Sequence, residues 1–296
     1  MAAPDQSLGA WTRQTLQRLD IKPSKKLGQN FLVAEGPVQG IIDLVDPKPD
    51  DQVVEIGGGV GVLSRRLAPK VSRYVVFEVD RVLNPHLDEL LAEVPGAEVL
   101  GDALTEWTDA SAHLDSSRPV KVVGNIPYQI TGPLLERIFS DSLGAPWETV
   151  TLMVQREVAE RMFAKPGDAE RGRLSVAVEF HALPGPKFPV SREAFHPKPN
   201  VDSTVLQLRP RPVPLLDREQ VPAFEALLER GFHMRRKTIW NNLRDPLTSE
   251  QAELLKAGLE ANGVEVSKRP QDLELKTWLK IFWVERDLGL LPPATP

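Results

Sequence analysis

Apolar residues recur along this chain in two rhythms. Between Gln52 and Arg211, short β-branched runs alternate with amphipathic stretches. "QVVEI", "RYVVFEV", "AEVL", "VKVV" and "TVTLMV" are each bounded by turn residues and read as buried strands. "GVLSRRLA", "RVLNPHLDELLAE" and "TGPLLERIFSD" read as the helices between them. Strand alternating with helix predicts a parallel sheet covered on both faces. "RLSVAVEFHAL" and "DSTVLQLRPR" predict two further strands, joined by a proline-rich connection and forming an antiparallel pair at one sheet edge. "RPRPVP", Arg209 to Pro214, has the composition of a linker. After it, "REQVPAFEALLERGFHM", "SEQAELLKAGLEANG" and "LELKTWLKIFWVERDLG" place apolar residues at helical spacing, and Asn262-Gly263 stops the second helix. The expected division is an α/β domain over residues 1–211, with a basic N-terminal extension, and a small helical domain over residues 212–296.

Composition narrows the chemistry. A chain of 296 residues, 41% hydrophobic, is long enough for a sizeable core and a smaller one. Cysteine is absent, which excludes disulfides, thiolate chemistry and cysteine-rich zinc sites. The five histidines, His86, His113, His181, His196 and His233, are scattered without the spacing of a metal-binding helix face. No apolar run is long enough to cross a bilayer, and the N-terminus lacks a signal-peptide pattern. The expectation is a cytoplasmic monomer with no metal and no membrane partner. Net charge is -5, but Trp11–Lys26 carries five basic residues against one acid, and Arg230–Arg244 carries five against none. Two basic patches on an acidic body fit a nucleic-acid partner better than the net charge suggests.

The candidate chemistry lies at strand ends. In "VVEIGGGVGVLS", Gly57, Gly59 and Gly61 form G-x-G-x-G, a loop that admits a ligand close to a helix N-terminus. The dinucleotide pattern G-x-G-x-x-G fails, because its last position is Val62 or Ser64, and this disfavours a nicotinamide-dependent oxidoreductase. Glu78 ends the second strand, 21 residues after Gly57, the separation at which a carboxylate reaches a ribose diol. Asp102 ends the third strand in "GDAL". Together they point to a nucleoside cofactor without a pyrophosphate. S-adenosyl-L-methionine fits, with ribose on Glu78, the adenine amine on Asp102 and the methionine end over the glycines.

"GNIPYQIT" ends the fourth strand beside that crevice. The exocyclic amine of adenine is a poor nucleophile, because its lone pair is delocalised into the ring. Two acceptors on its N–H bonds, the Asn125 side-chain oxygen and the Ile126 carbonyl, would draw it toward tetrahedral geometry. Pro127 would hold that carbonyl and offer no competing N–H. Tyr128 would stack on a base swung out of its helix or loop.

At these residues the chain resembles the rRNA adenine N6,N6-dimethyltransferases of KsgA type. The resemblance runs through "KKLGQNFL", "VVEIGGGVGVLS", "FEVD", "GDAL", "GNIPYQIT", "VQREVAERM", "GRLSV", "FHPKPNVDSTVLQL" and "RRKTIWNNL", in the family's order and over almost the whole chain. It implies a Rossmann-like class I methyltransferase fold, S-adenosyl-L-methionine as methyl donor and the small ribosomal subunit as partner. The implied reaction dimethylates two adjacent adenosines in the 3′-terminal hairpin loop of 16S rRNA. By motif it also implies Asn30, Leu32, Gly57, Glu78, Asp102 and Asn125 as cofactor-pocket residues. Asn125, Ile126, Pro127 and Tyr128 match the catalytic motif, and Phe195 matches an aromatic facing the flipped base. Lys25, Lys26, Arg235, Arg236 and Lys237 are the expected RNA contacts. Gly58 stands where the family commonly has proline. Ile126, in place of the more frequent leucine, leans toward the related Erm enzymes of the large subunit; Gly28, where those carry serine, leans away. A non-catalytic nucleic-acid-binding factor of the same fold is a further alternative, against which an intact "NIPY" weighs.

Overall fold

A computed structural model describes residues 6–24, 26–126, 130–139, 144–245 and 247–291. The chain forms two units, Met1–Ala159 with Pro184–Pro210, and Glu160–Leu183 with Arg211–Pro296.

The first unit opens with helix α1 (Leu8–Arg18), the short strand β1 (Phe31–Leu32) and α2 (Glu35–Val45). Then follow β2 (Gln52–Ile56), α3 (Ser64–Leu67), β3 (Arg73–Phe77), α4 (Asn84–Leu91), β4 (Ala97–Leu100), β5 (Val120–Asn125), α5 (Thr131–Phe139), β6 (Trp147–Gln155) and α6 (Arg156–Met162), within which the division between the units falls after Ala159. Seven strands make one sheet in the order β4-β3-β2-β5-β6-β9-β7, where β7 is Ala182–Val190 and β9 is Ser203–Pro210. β2 to β6 run parallel to their neighbours, and β9 runs antiparallel to β6. β2 is buried along its whole length and β5 nearly so. A central strand covered on both faces must be apolar on both sides, so it reads as an unbroken run. β2 pairs with β3 on one side and β5 on the other, Val54 lying opposite Val75 and Val122. Strand order reverses here, so a crevice opens at the carboxyl ends of these strands. Helix side chains such as Val38, Leu67 and Leu87 close the core beneath it.

The strand expected over "RLSVAVEFHAL" is instead helix α7 (Arg173–His181), and the proline-rich segment after it is the strand β7. Val176, Val178 and Phe180 are buried at alternate positions, which mimics a strand. Ser175 Oγ accepts the Gly172 N–H at 3.0 Å and starts a helix, and Val176 and Phe180, four residues apart, enter the helical unit's core. Period-two burial over so short a run does not separate strand from helix, and tertiary packing decides. β7 tolerates Pro184, Pro186 and Pro189 because it lies at the sheet's edge, where missing N–H donors face no further strand.

The second unit combines α7 with α8 (Val221–Gly231), α9 (Ile239–Leu243), α10 (Ser249–Ala261) and α11 (Leu275–Asp287). Thr248 caps α10, accepting from the Gln251 N–H at 3.3 Å, and Asn262 with Gly263 at φ +68° ends it. The core stacks Phe232 on Trp278 at 5.1 Å and Phe180 against Phe224 at 4.4 Å. A domain boundary at residue 211/212 is therefore incomplete: the chain enters this unit first at Glu160–Leu183, because α7 supplies part of its core. Among the described residues, no helix is long and apolar enough to cross a membrane, and no group of three or more His, Asp or Glu could hold a metal ion.

Candidate active site

A cavity of about 230 Å³ lies in the first unit where the carboxyl ends of β2 to β5 meet. Each strand delivers one feature to its wall: β2 the glycine loop from Gly57, β3 Glu78, β4 Asp102, and β5 Asn125 and Ile126. β1 pairs antiparallel with β8 (Phe195–His196), Leu32 opposite Phe195, and adds Asn30, Leu32 and Phe195. Lys26, exposed, stands in the same lining. Pro127, Tyr128 and Lys25 lie outside the described residues.

The glycine loop turns on Gly57, Gly59 and Gly61, whose φ angles are +77°, +55° and +83°. A Cβ at Gly57 would stand 3.1 Å from the Asn125 carbonyl oxygen in a conformation L side chains avoid, so glycine alone joins β2 to β5 this closely. A Cβ at Gly58 would meet Val76 Cγ2 at 2.6 Å and Leu87 Cδ1 at 2.9 Å. The departure from proline is thus matched to the side chains beneath it. Gly59 donates its N–H to Glu78 Oε2 at 2.7 Å, and Asp80 donates to Oε1 at 2.8 Å. Each oxygen keeps a second lone pair for a hydroxyl. Burial raises the Glu78 pKa above the usual carboxylate value, against the pull of these N–H groups. Asp102 Oδ1 accepts from the Leu104 N–H at 2.9 Å.

Asn125 donates through Nδ2 to the Asn30 carbonyl at 3.1 Å, and Asn30 donates to the Gly28 carbonyl at 3.0 Å. With the amide so oriented, Oδ1 is the remaining acceptor. Ile126 donates its N–H to Met153 on β6 at 3.1 Å, and its side chain is buried, which anchors the backbone at the strand end. Phe195 is 6% exposed; it belongs to the core and forms cavity wall at once.

Several residues at the site escaped the sequence reading. Glu55 is fully buried in β2, and its Oε2 accepts from Ser64 Oγ at 2.5 Å and Tyr74 OH at 2.6 Å. Burial drives its pKa up to about 7. An acid within an apolar strand run was the available signal. Gln29 ties the entry loop down, donating to Asp80 at 2.7 Å and accepting from the Ser24 N–H at 2.8 Å. Glu106 accepts the Gly101 N–H at 2.7 Å beside Asp102.

The C-terminal basic run is not uniform. Arg230 pairs with the buried Glu285. Arg235 donates through Nη2 to the carbonyls of Ala169 at 2.7 Å and Arg171 at 3.0 Å within its own unit. Arg235, Arg236, Lys237 and Arg244 are all exposed, and Arg235 uses only Nη2 in these bonds.

Residues 21–282 match the sequence profile of a family described as ribosomal RNA adenine dimethylase. A small-subunit ribosomal RNA methyltransferase A from Alkaliphilus metalliredigens is 34% identical over 90% of this chain and 93% of its own. Among solved structures, a dimethyladenosine transferase from Plasmodium falciparum superposes with TM-score 0.70 at 25% identity, covering 88% of this chain and 99% of its own. The 23S rRNA methyltransferase ErmE gives 0.61 at 28% identity, covering 86% and 99%.

Proposed function

The chain belongs to the ribosomal RNA adenine dimethylase family, and on that premise we propose that it dimethylates N6 of two adjacent adenosines in the 3′-terminal hairpin loop of 16S rRNA, using S-adenosyl-L-methionine. The observation that carries the reading is the meeting of two carboxylates, a positive-φ glycine loop and an oriented asparagine in one cavity at the sheet's switch point. The closer likeness to small-subunit relatives favours this substrate over the large-subunit one.

The lining fits the cofactor. Glu78 would accept from the ribose diol while holding the Gly59 and Asp80 N–H groups. Asp102 would accept from the adenine amine, and the glycine loop, without side chains, would let the methionine end lie against the backbone. When bound, S-adenosyl-L-methionine supplies an electrophilic methyl group on its sulfonium. Asn125 Oδ1 and the Ile126 carbonyl accept the two N–H bonds of the target amine and localise its lone pair for attack. Neither oxygen is basic enough to keep the proton that the methylated nitrogen sheds, so it passes to water. One N–H remains after the first transfer, so one of the two acceptors still orients the amine for the second. Tyr128 and Phe195 sandwich the extruded base. Arg236 and Lys237 contact RNA phosphates, Lys26 does so at the cavity, and Arg235 holds the segment that presents its neighbours.

The test is methyl transfer from radiolabelled S-adenosyl-L-methionine to immature small subunits, with the modified nucleotides mapped. Two adjacent N6,N6-dimethyladenosines are expected. Modification of large-subunit RNA only, or RNA binding without transfer, would refute the reading.

A further inference from the structure

His86 lies on α4, 6% exposed, outside the residues that line the cavity. Its two ring nitrogens face different elements. Nδ1 stands 3.0 Å from Arg18 Nη2 on α1, and Nε2 stands 3.2 Å from the carbonyl oxygen of Val60 in the glycine loop. A guanidinium only donates, so Nδ1 accepts; a carbonyl only accepts, so Nε2 carries the proton. Both neighbours thus demand the same neutral tautomer.

We propose that His86 is a positioning residue for cofactor binding: held as the Nε2–H tautomer by Arg18, it fixes the Val60 carbonyl and with it the glycine loop. Val60 sits between Gly59 and Gly61, both at positive φ, and Gly59 donates to Glu78. Glycines have the most backbone freedom to lose. A loop tethered through Val60 on one side and through Gly59 on the other has already lost that freedom before a ligand arrives. Without the imidazole, binding must supply the ordering itself, and affinity falls accordingly.

The charged groups acting on the ring are Arg18, across from it, and Glu89, on its own helix and 3.8 Å from Arg18 Nη1. Burial and Arg18 hold the imidazole's pKa below its ordinary value, against the Val60 carbonyl and Glu89. Both effects favour the neutral ring that the two contacts require. Protonating Nδ1 would turn a donor toward the guanidinium and break the bond from α1.

This inference rests on the cavity being the S-adenosyl-L-methionine site. The experiment is calorimetric binding of S-adenosylhomocysteine to the full chain and to His86→Leu, His86→Gln and Arg18→Met. Losing one buried donor should weaken His86→Leu by ~10-fold. Glutamine restores an N–H toward Val60, so His86→Gln should bind within ~3-fold of wild type, which a merely space-filling histidine would not predict. Arg18→Met should weaken binding by ~3-fold. In wild type, nitrogen-15 NMR of the ring should report the Nε2–H tautomer between pH 6 and 8, and in Arg18→Met the ring should titrate at higher pH. Wild-type affinity in His86→Leu, equal losses in the leucine and glutamine variants, or an Nδ1–H tautomer would each overturn the inference. Failure of the wild-type chain to bind the probe would overturn the cavity assignment itself, and the inference with it.

Discussion

Replacing Glu55 by glutamine should shift the sheet's stability relative to wild type in the variant's favour as pH rises. The carboxyl is buried beside Ser64 and Tyr74, and burial lifts its pKa to about 7 from an ordinary 4.5. At ~1.4 kcal/mol for each pH unit between those values, the ionised folded state is penalised by ~3 kcal/mol. A raised folded pKa means that stability is fully present below the unfolded value and is lost as pH rises toward the folded one. The window is therefore roughly pH 4.5 to 7. Glutamine presents an oxygen to both hydroxyls and never ionises, but its amide group lacks an assured partner, which adds a pH-independent cost of ~1–3 kcal/mol. The decisive quantity is consequently the change in the difference between variant and wild type. From pH 5 to pH 8 the variant should gain ~2 kcal/mol or more relative to wild type. Native-state hydrogen exchange of the β2 amides Val53 and Val54, compared between proteins at the same pH, reads this unit alone. A difference that stays constant with pH, or that grows on acidification, would refute the burial argument.

Asn125→Ala removes one aimed acceptor and should lower turnover by ~10²-fold, with the Asn30 carbonyl left without its donor; single-turnover methylation that matches wild type would eliminate the paired-acceptor geometry. For Glu78, whose pKa is raised by burial, S-adenosylhomocysteine affinity should fall on acidification from a higher pH than an ordinary carboxylate would give, because the protonated group loses an acceptor. Glu78→Gln should flatten that pH profile, and a profile unchanged in the variant would assign it elsewhere. Replacing Arg236 and Lys237 together with alanine should reduce the salt dependence of small-subunit binding by up to about one unit of slope per lost contact. Arg235→Ala should instead show mainly as lower thermal stability, and parallel salt plots for the double variant would exclude phosphate contact.

The parallel strands were legible because each is a short run between turn residues; β2 and β5 are largely apolar on both buried faces, whereas β4, expected to be buried, is an edge strand and only half-buried along its length. The cavity was legible for the same reason: Gly57, Glu78, Asp102 and Asn125 follow the ends of those strands, so locating the strands located the residues. What failed depends on packing between distant segments. Alternate burial of Val176, Val178 and Phe180 looks like a strand until the helical core that receives Val176 and Phe180 is known. The prolines of β7 look like a connection until the segment is seen to be a sheet edge. Charge alone could not divide the basic run, because the Ala169 and Arg171 carbonyls that engage Arg235 are more than sixty residues away. His86 carried no spacing signal, since its partners lie 68 and 26 residues away in sequence.

The helical unit is assembled from two stretches separated by Pro184–Pro210. A ribosome making this chain therefore delivers α7 well before α8, α10 and α11, and Val176 and Phe180 must wait uncovered until the C-terminal third emerges. The sheet, by contrast, has its last strand once Pro210 is out. Vectorial synthesis thus favours completing the first unit before the second, with α7 as an exposed apolar strip that invites chaperone capture in the interval. Cutting the gene after residue 211 would make that interval permanent. Neither fragment would then be a clean module: one would carry an orphaned helix, the other a core missing one of its walls.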